Sequence, residues 1–233
     1  MPNLAVGTQK RATKKILLYS AMTPYIPPHD NGPELIYADE YLLAVNKPAG
    51  LLSVPGRGTD KQDSQATRIQ KVFADALIVH RLDMATSGLL VFARGHYMQR
   101  RLSELFRERL VTKSYVAIAS GKVASECGEI NMPIVADWPE RPRRRIDEKL
   151  GKPSLTRYQV LLQKDDNTRI ALEPVTGRTH QLRVHLLAIG HPIVGDALYG
   201  GQPAERLMLH AHGLDFVHPV TDSQIRLISE PPF

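Results

Sequence analysis

A single cysteine, Cys127, is all the thiol chemistry in a chain of 233 residues. It excludes an internal disulfide framework and points to a reducing compartment. No base is identifiable beside it, so a thiol nucleophile is not expected. Phosphate-cradling loops are also missing. Neither a Walker glycine–lysine pattern nor a Gly-x-Gly-x-x-Gly opening a helix occurs, and no cofactor is expected. No His-Glu-x-x-His or comparable metal spacing is present, so a metal is not expected either. No apolar run approaches the ~18 residues of a membrane span.

What the chain does have is an ordinary globular balance, 42% apolar and 23% charged. That suffices to bury a core in one domain. Lys and Arg outnumber Asp and Glu by 30 to 24, a net charge of +6. The surplus favours an anionic partner such as nucleic acid, and equally describes an arginine-rich solvated surface. Lys10, Arg11, Lys14 and Lys15 precede a short apolar patch, Ile16 to Met22, in the outline of a secretory signal. The patch is too short, and Tyr19 and Ser20 interrupt it, so a cytoplasmic location is expected. Residues 1–30 lack a period and end in Pro24-Tyr25-Ile26-Pro27-Pro28. They are expected to form a tail, flexible or draped over a domain at 31–233.

Short strands are predicted at 35–37, 42–45, 89–93, 115–119, 156–163, 168–173, 207–210, 213–217 and 224–228. Helices are predicted from a cap at Asp63 or Ser64 to about Phe73, over about 96–109, and from Thr179 to Ile189 before Gly190. Residues 137–153 read as irregular and basic. Strands cluster in neighbouring pairs more than they alternate with helices. The predicted class is therefore α+β with a mixed, mainly antiparallel central sheet.

Three segments carry candidate chemistry. In His80-Arg81-Leu82-Asp83-Met84-Ala85-Thr86-Ser87-Gly88 a carboxylate sits two residues from a guanidinium beside a turn of small hydroxyl residues. It is a catalytic aspartate at the mouth of a cleft or a surface ion pair. In Gly177-Arg178-Thr179-His180-Gln181-Leu182-Arg183-Val184-His185 a glycine and a capping hydroxyl open a helix, an anion-friendly amide cluster. Arg183 there either pairs with a buried carboxylate or lies on a solvated face. Arg141, Arg143, Arg144, Arg145 and Lys149 follow Trp138 and Pro139. They form a phosphate-gripping strand or hairpin tip, or a solvated loop. His180, His185, His191, His210, His212 and His218 read as polar, RNA-facing or hydrogen-bonded residues.

Taken in order, these segments resemble the RluA-type pseudouridine synthases. The resemblance rests on Val45 to Leu51, His80 to Asp83 with Thr86-Ser87-Gly88, and Lys113-Ser114-Tyr115-Val116-Ala117. It continues through Gly177 to His185, Gly190 to Asp196, and Leu209-His210-Ala211, and spans about residues 34 to 217. Within the family, Leu52 to Arg57, Asp83 to Gly88 and Asp137 to Pro142 match its dual-specificity rRNA and tRNA members. The resemblance implies a pseudouridine synthase fold with a cleft across its sheet, flanking helices and no S4 domain. It implies Asp83 as the essential carboxylate, Tyr115 packed on the target base, and Arg183 paired with Asp83. Arg81 would enter the RNA stack. His80, Thr86, Arg178, His180, Arg141, Arg143, Arg144 and Arg145 are the remaining expected RNA contacts.

Those roles suit uridine-to-pseudouridine isomerisation, which needs a flipped-out base and an ionised carboxylate beside a guanidinium. The expected partner is structured RNA, 23S rRNA and tRNA, with no membrane and a monomeric enzyme. A non-catalytic RNA-binding module of the same fold and a nucleic-acid base glycosylase are the alternatives. The resemblance begins just after Met22, which is therefore a candidate translation start.

Overall fold

Apolar runs at 42–45 and 89–93 leave no polar face because these strands are covered on both sides. In the computed structural model, which describes residues 24–233, β2 (Leu42–Lys47) pairs antiparallel with β4 (Ser87–Arg94). Leu42, Ala44, Leu89 and Val91 pack with Met98 and Leu102 of α2 (Gly95–Arg107). Leu43, Val45, Leu90 and Phe92 pack with Ala66 and Ile69 of α1 (Gln65–Gln70). Successive strand residues face opposite ways. A helix on each face therefore demands an apolar residue at every position. Ser64, one of the two predicted caps, opens α1 in a capping box with Thr67.

The sheet runs β1 (Leu35–Ala38), β2, β4, β11 (Leu209–Val217), β5 (Thr112–Ser120), β10 (Asn167–Pro174), β9 (Leu155–Lys164), β6 (Cys127–Asn131). β3 (Ala76–Ile78) joins β4, and β12 (Gln224–Ile228) joins β11. Among the described residues every pairing in this sheet is antiparallel except β4 with β11. The class is α+β with a mixed, mainly antiparallel sheet, as the strand clustering predicts. The parallel contact is brief: His210 faces Ser87 and Ala211 faces Gly88. Gly88 has φ +111, and a Cβ there would lie 2.3 Å from the Ala211 carbonyl oxygen. Only glycine lets these backbones meet. The Asp83 turn enters the sheet immediately before this point.

The basic segment is more ordered than its sequence suggests. β7 (Ile134–Ala136) and β8 (Arg144–Ile146) form an antiparallel hairpin. Ile134 and Ile146 pack with Val184, Leu187, Leu198 and Tyr199. The strands are three residues long, and β8 offers one apolar side chain among arginines, so no period exists to read. β6 was likewise not predicted. The third helix, α3 (Gln181–Ala188), starts later than predicted. Its N-cap is His180 at φ +58 rather than Thr179, and it makes no side-chain cap. Gln181 Oε1 instead accepts from the Arg178 N–H and the Thr176 hydroxyl. The expected open amide cluster is thus already partly satisfied.

Residues 24–33 lie against the domain. Tyr25 donates its hydroxyl to the Asp63 carbonyl and accepts the Leu52 N–H, and Arg68 donates to the Pro28 and His29 carbonyls. The rest of the expected tail, and Met22, fall outside the described residues. Among the described residues no helix is long and apolar enough to cross a membrane.

Candidate active site

A cleft of about 570 Å³ is lined by His80 to Asp83, Thr86, the end of α2, Lys113 and Tyr115 of β5, and the approach to α3. Asp83 lies on its floor, at the start of a turn closed by the Thr86 N–H to the Asp83 carbonyl, 3.1 Å. Two buried side chains hold this turn. Ser53 exchanges two hydrogen bonds with the Leu82 backbone, at 2.8 and 3.1 Å. Lys47, 0% exposed, donates to the carbonyls of Pro48, Leu51 and Met84 at 2.7, 2.8 and 3.2 Å. All its ammonium protons are used. Burial draws its pKa down to about 7, opposed by Asp83 and reinforced by Arg206. Lys47 had no expected role beyond its place in the Val45 to Leu51 motif.

Arg183 pairs with Asp83, as the resemblance implies, and also with a second carboxylate. Its two short bonds, Nε to Oδ2 and Nη2 to Oδ1, both 2.7 Å, go to Asp196. Its Nη1 lies 3.6 Å from Asp83 Oδ2, an ionic contact longer than a hydrogen bond. The reason is geometric. A planar guanidinium is oriented by a bidentate partner, and Asp196 supplies one from a fully buried side chain. The free edge of the fork then faces Asp83. Burial opposes the charge on Arg183, but the Asp196 hydrogen bonds and the charges of Asp196 and Asp83 hold its pKa above the ordinary value. Asp196 was missed as a site residue. Its only signal in the sequence was its place at the end of the Gly190 to Asp196 motif.

His180 and Tyr115 complete the wall around Asp83. His180 Nε2 is 3.8 Å from Asp83 Oδ2. Burial lowers its pKa, opposed by Asp83 and reinforced by Arg183 and Arg144. Burial raises the Tyr115 pKa, and Asp83 adds to the rise, so the phenol keeps its proton. Arg81 is exposed at the mouth, while Thr86 is buried beneath. Arg178 lines the rim and donates from Nε to the Pro153 carbonyl at 3.3 Å.

The Nε2 of His80 accepts the Val91 N–H at 2.9 Å and its ring stacks on Phe106 at 4.3 Å. Burial lowers its pKa to about 3, so it stands in the cleft wall as a neutral, packed imidazole. The cleft also gathers Arg107, Arg109 and Lys113, none of them among the expected contacts. They straddle a helix end and a strand, so no basic run marks them. Arg141, Arg143, Arg144 and Arg145 do not line the cleft. Arg141 stacks on Trp138, Arg145 pairs with Asp147 at 2.8 Å, and Arg143 and Arg144 contact Tyr199. Of the C-terminal histidines, His185, His191, His210 and His212 are bonded within the protein. His218 accepts two backbone amides and lies beside Asp39.

Residues 41–188 match the model of the RNA pseudouridylate synthase family. The chain is 48% identical over 203 residues to the dual-specificity RNA pseudouridine synthase RluA of Vibrio cholerae, covering 85% of this chain and 83% of that protein. It is 46% identical to the protein of the same name from Escherichia coli, covering 85% and 93%. Among solved structures, human RNA pseudouridylate synthase domain containing 1 superposes with TM-score 0.75 at 30% identity, covering 89% of this chain and 87% of that one. Human RNA pseudouridylate synthase domain containing 4 gives 0.68 at 25%, covering 94% and 93%. On this fold, this cleft and these matches, the chain belongs to the RNA pseudouridylate synthase family, among the RluA-type members.

Proposed function

We propose that the protein is an isomerase that converts uridine to pseudouridine in structured RNA, with Asp83 as its catalytic carboxylate. The observation that carries this reading is the placement of Asp83. It lies on the floor of a cleft, 3.6 Å from a guanidinium that Asp196 already orients. The reaction must break a glycosidic bond, turn the uracil and form a carbon–carbon bond. Asp83 serves as nucleophile or base. Arg183 faces that carboxylate at 3.6 Å and offers it a positive charge. Tyr115 offers an aromatic face to the uracil and a protonated hydroxyl. Stacked uridine must first be everted, and Arg81 at the mouth fills the gap with a planar guanidinium.

Arg107, Arg109, Lys113 and Arg178 all line the cleft. This layout suits a folded RNA stem presenting an unpaired loop. The relatives' dual specificity supports two substrates, for which the family resemblance offers 23S rRNA and the tRNA anticodon stem-loop. The cytoplasm is the expected location. The test is incubation with RNA tritiated at uridine C5, without cofactor. Tritium release with no free uracil is the expected result. Free uracil would mark a glycosylase, and no release from any RNA would reject catalysis.

A further inference from the structure

Tyr199 takes no part in the chemistry above, yet it is 3% exposed and joins two parts of the site. Its turn is held by Asp196 Oδ1, which accepts the Leu198 and Tyr199 N–H groups at 3.2 Å. Its ring carries the Arg183 guanidinium at 5.0 Å. Its hydroxyl meets the Arg144 N–H of β8 at 2.8 Å and His180 Nδ1 at 2.7 Å.

Proton counting decides what this arrangement does. A tyrosine hydroxyl has one proton to give, and the Arg144 amide can only donate to it. If the hydroxyl gives its proton to Nδ1, the neutral imidazole carries its own proton on Nε2. That N–H then faces Asp83 Oδ2, 3.8 Å away. In the other tautomer Nδ1–H would donate to the hydroxyl, whose proton would need a further acceptor. The Nε2 lone pair would then face a carboxylate. Donor count and charge both select the first arrangement.

We propose that Tyr199 is a positioning residue for the isomerisation. Its hydroxyl fixes His180 as the tautomer bearing a proton on Nε2, aimed at Asp83, and ties that state to the seating of β8. The catalytic consequence rests on the reading of Asp83 above; the tautomer does not.

The test combines nitrogen NMR of histidine-labelled protein with kinetics of Tyr199→Phe, which keeps the ring and removes the hydroxyl. The expected wild-type spectrum shows the His180 proton on Nε2. Tyr199→Phe is expected to shift it to Nδ1 or to a mixture. It should lower kcat about ten-fold while the Kd for a stem-loop RNA stays within about two-fold. In a His180→Ala background the same substitution should cost less than about two-fold, because the shared bond is already gone. A wild-type proton on Nδ1 overturns the proposal, as does a Tyr199→Phe variant with unchanged tautomer and kcat. Should that variant not fold, the wild-type spectrum still decides the tautomer. The expected spectrum without pseudouridine formation from any RNA would sink the functional reading and leave the tautomer assignment standing.

Discussion

Asp83→Asn keeps the shape of the side chain and removes its charge. A decline in kcat of about 10²–10⁴-fold is expected, with RNA affinity within about two-fold, measured by tritium release and filter binding. Asp196→Ala acts differently, because it strands the Arg183 guanidinium in a buried position. Breaking such a pair costs about 3–5 kcal/mol, so urea unfolding should show a large loss of stability along with loss of activity. A variant that unfolds like the parent chain would show that Arg183 finds another partner. These two residues mark the limit of sequence reading at this scale. Asp83 was legible through its motif. The Arg183–Asp196 bond was not, because 13 residues and a helix end separate the partners and only the fold brings them together.

Elements were legible where side-chain period was strong. The β2 and β4 runs and the apolar stripe of α2 were read close to their observed bounds. The β7–β8 hairpin was not, since its order comes from packing on α3 and Tyr199 rather than from its own pattern. If this hairpin grips phosphate, Arg143→Ala and Arg145→Ala should each reduce the salt dependence of RNA binding. The slope of log K against log salt should fall by about 0.7–0.9 per contact, with kcat preserved. An unchanged slope would place the RNA elsewhere. Gly88→Ala tests the meeting of β4 and β11. A methyl 2.3 Å from the Ala211 carbonyl oxygen, at a φ that L-residues avoid, should cost several kcal/mol, seen as a lower Tm. An unaltered Tm would mean the strands can separate freely.

Over the whole molecule, pH dependence follows from histidines buried without charge. His210 is 1% exposed between Ser87 and Ser229, and burial lowers its pKa to about 4. The unfolded value lies near 6.5, so on acidification the unfolded chain takes up the proton first. Stability from this group is complete above about pH 7 and drains as pH falls from 6.5 toward 4. At pH 5 the loss is about 1.5 × 1.36, or roughly 2 kcal/mol. His80 acts in the same direction. Urea unfolding at pH 8 and pH 5 should show this loss, and His210→Gln should reduce it; an equal loss in that variant would assign the effect to other groups.

Lys47 has a consequence of a different kind. Its amine is sealed between the 48–51 loop and the Asp83 turn with every proton committed, whereas Lys71 stands in solvent, its side chain 68% exposed. An acylating reagent should therefore mark Lys71 at once and reach Lys47 only when the catalytic loop peels open. The appearance of label on that one amine becomes a clock for the site's rarest excursion, and RNA held in the cleft should make the clock run slower.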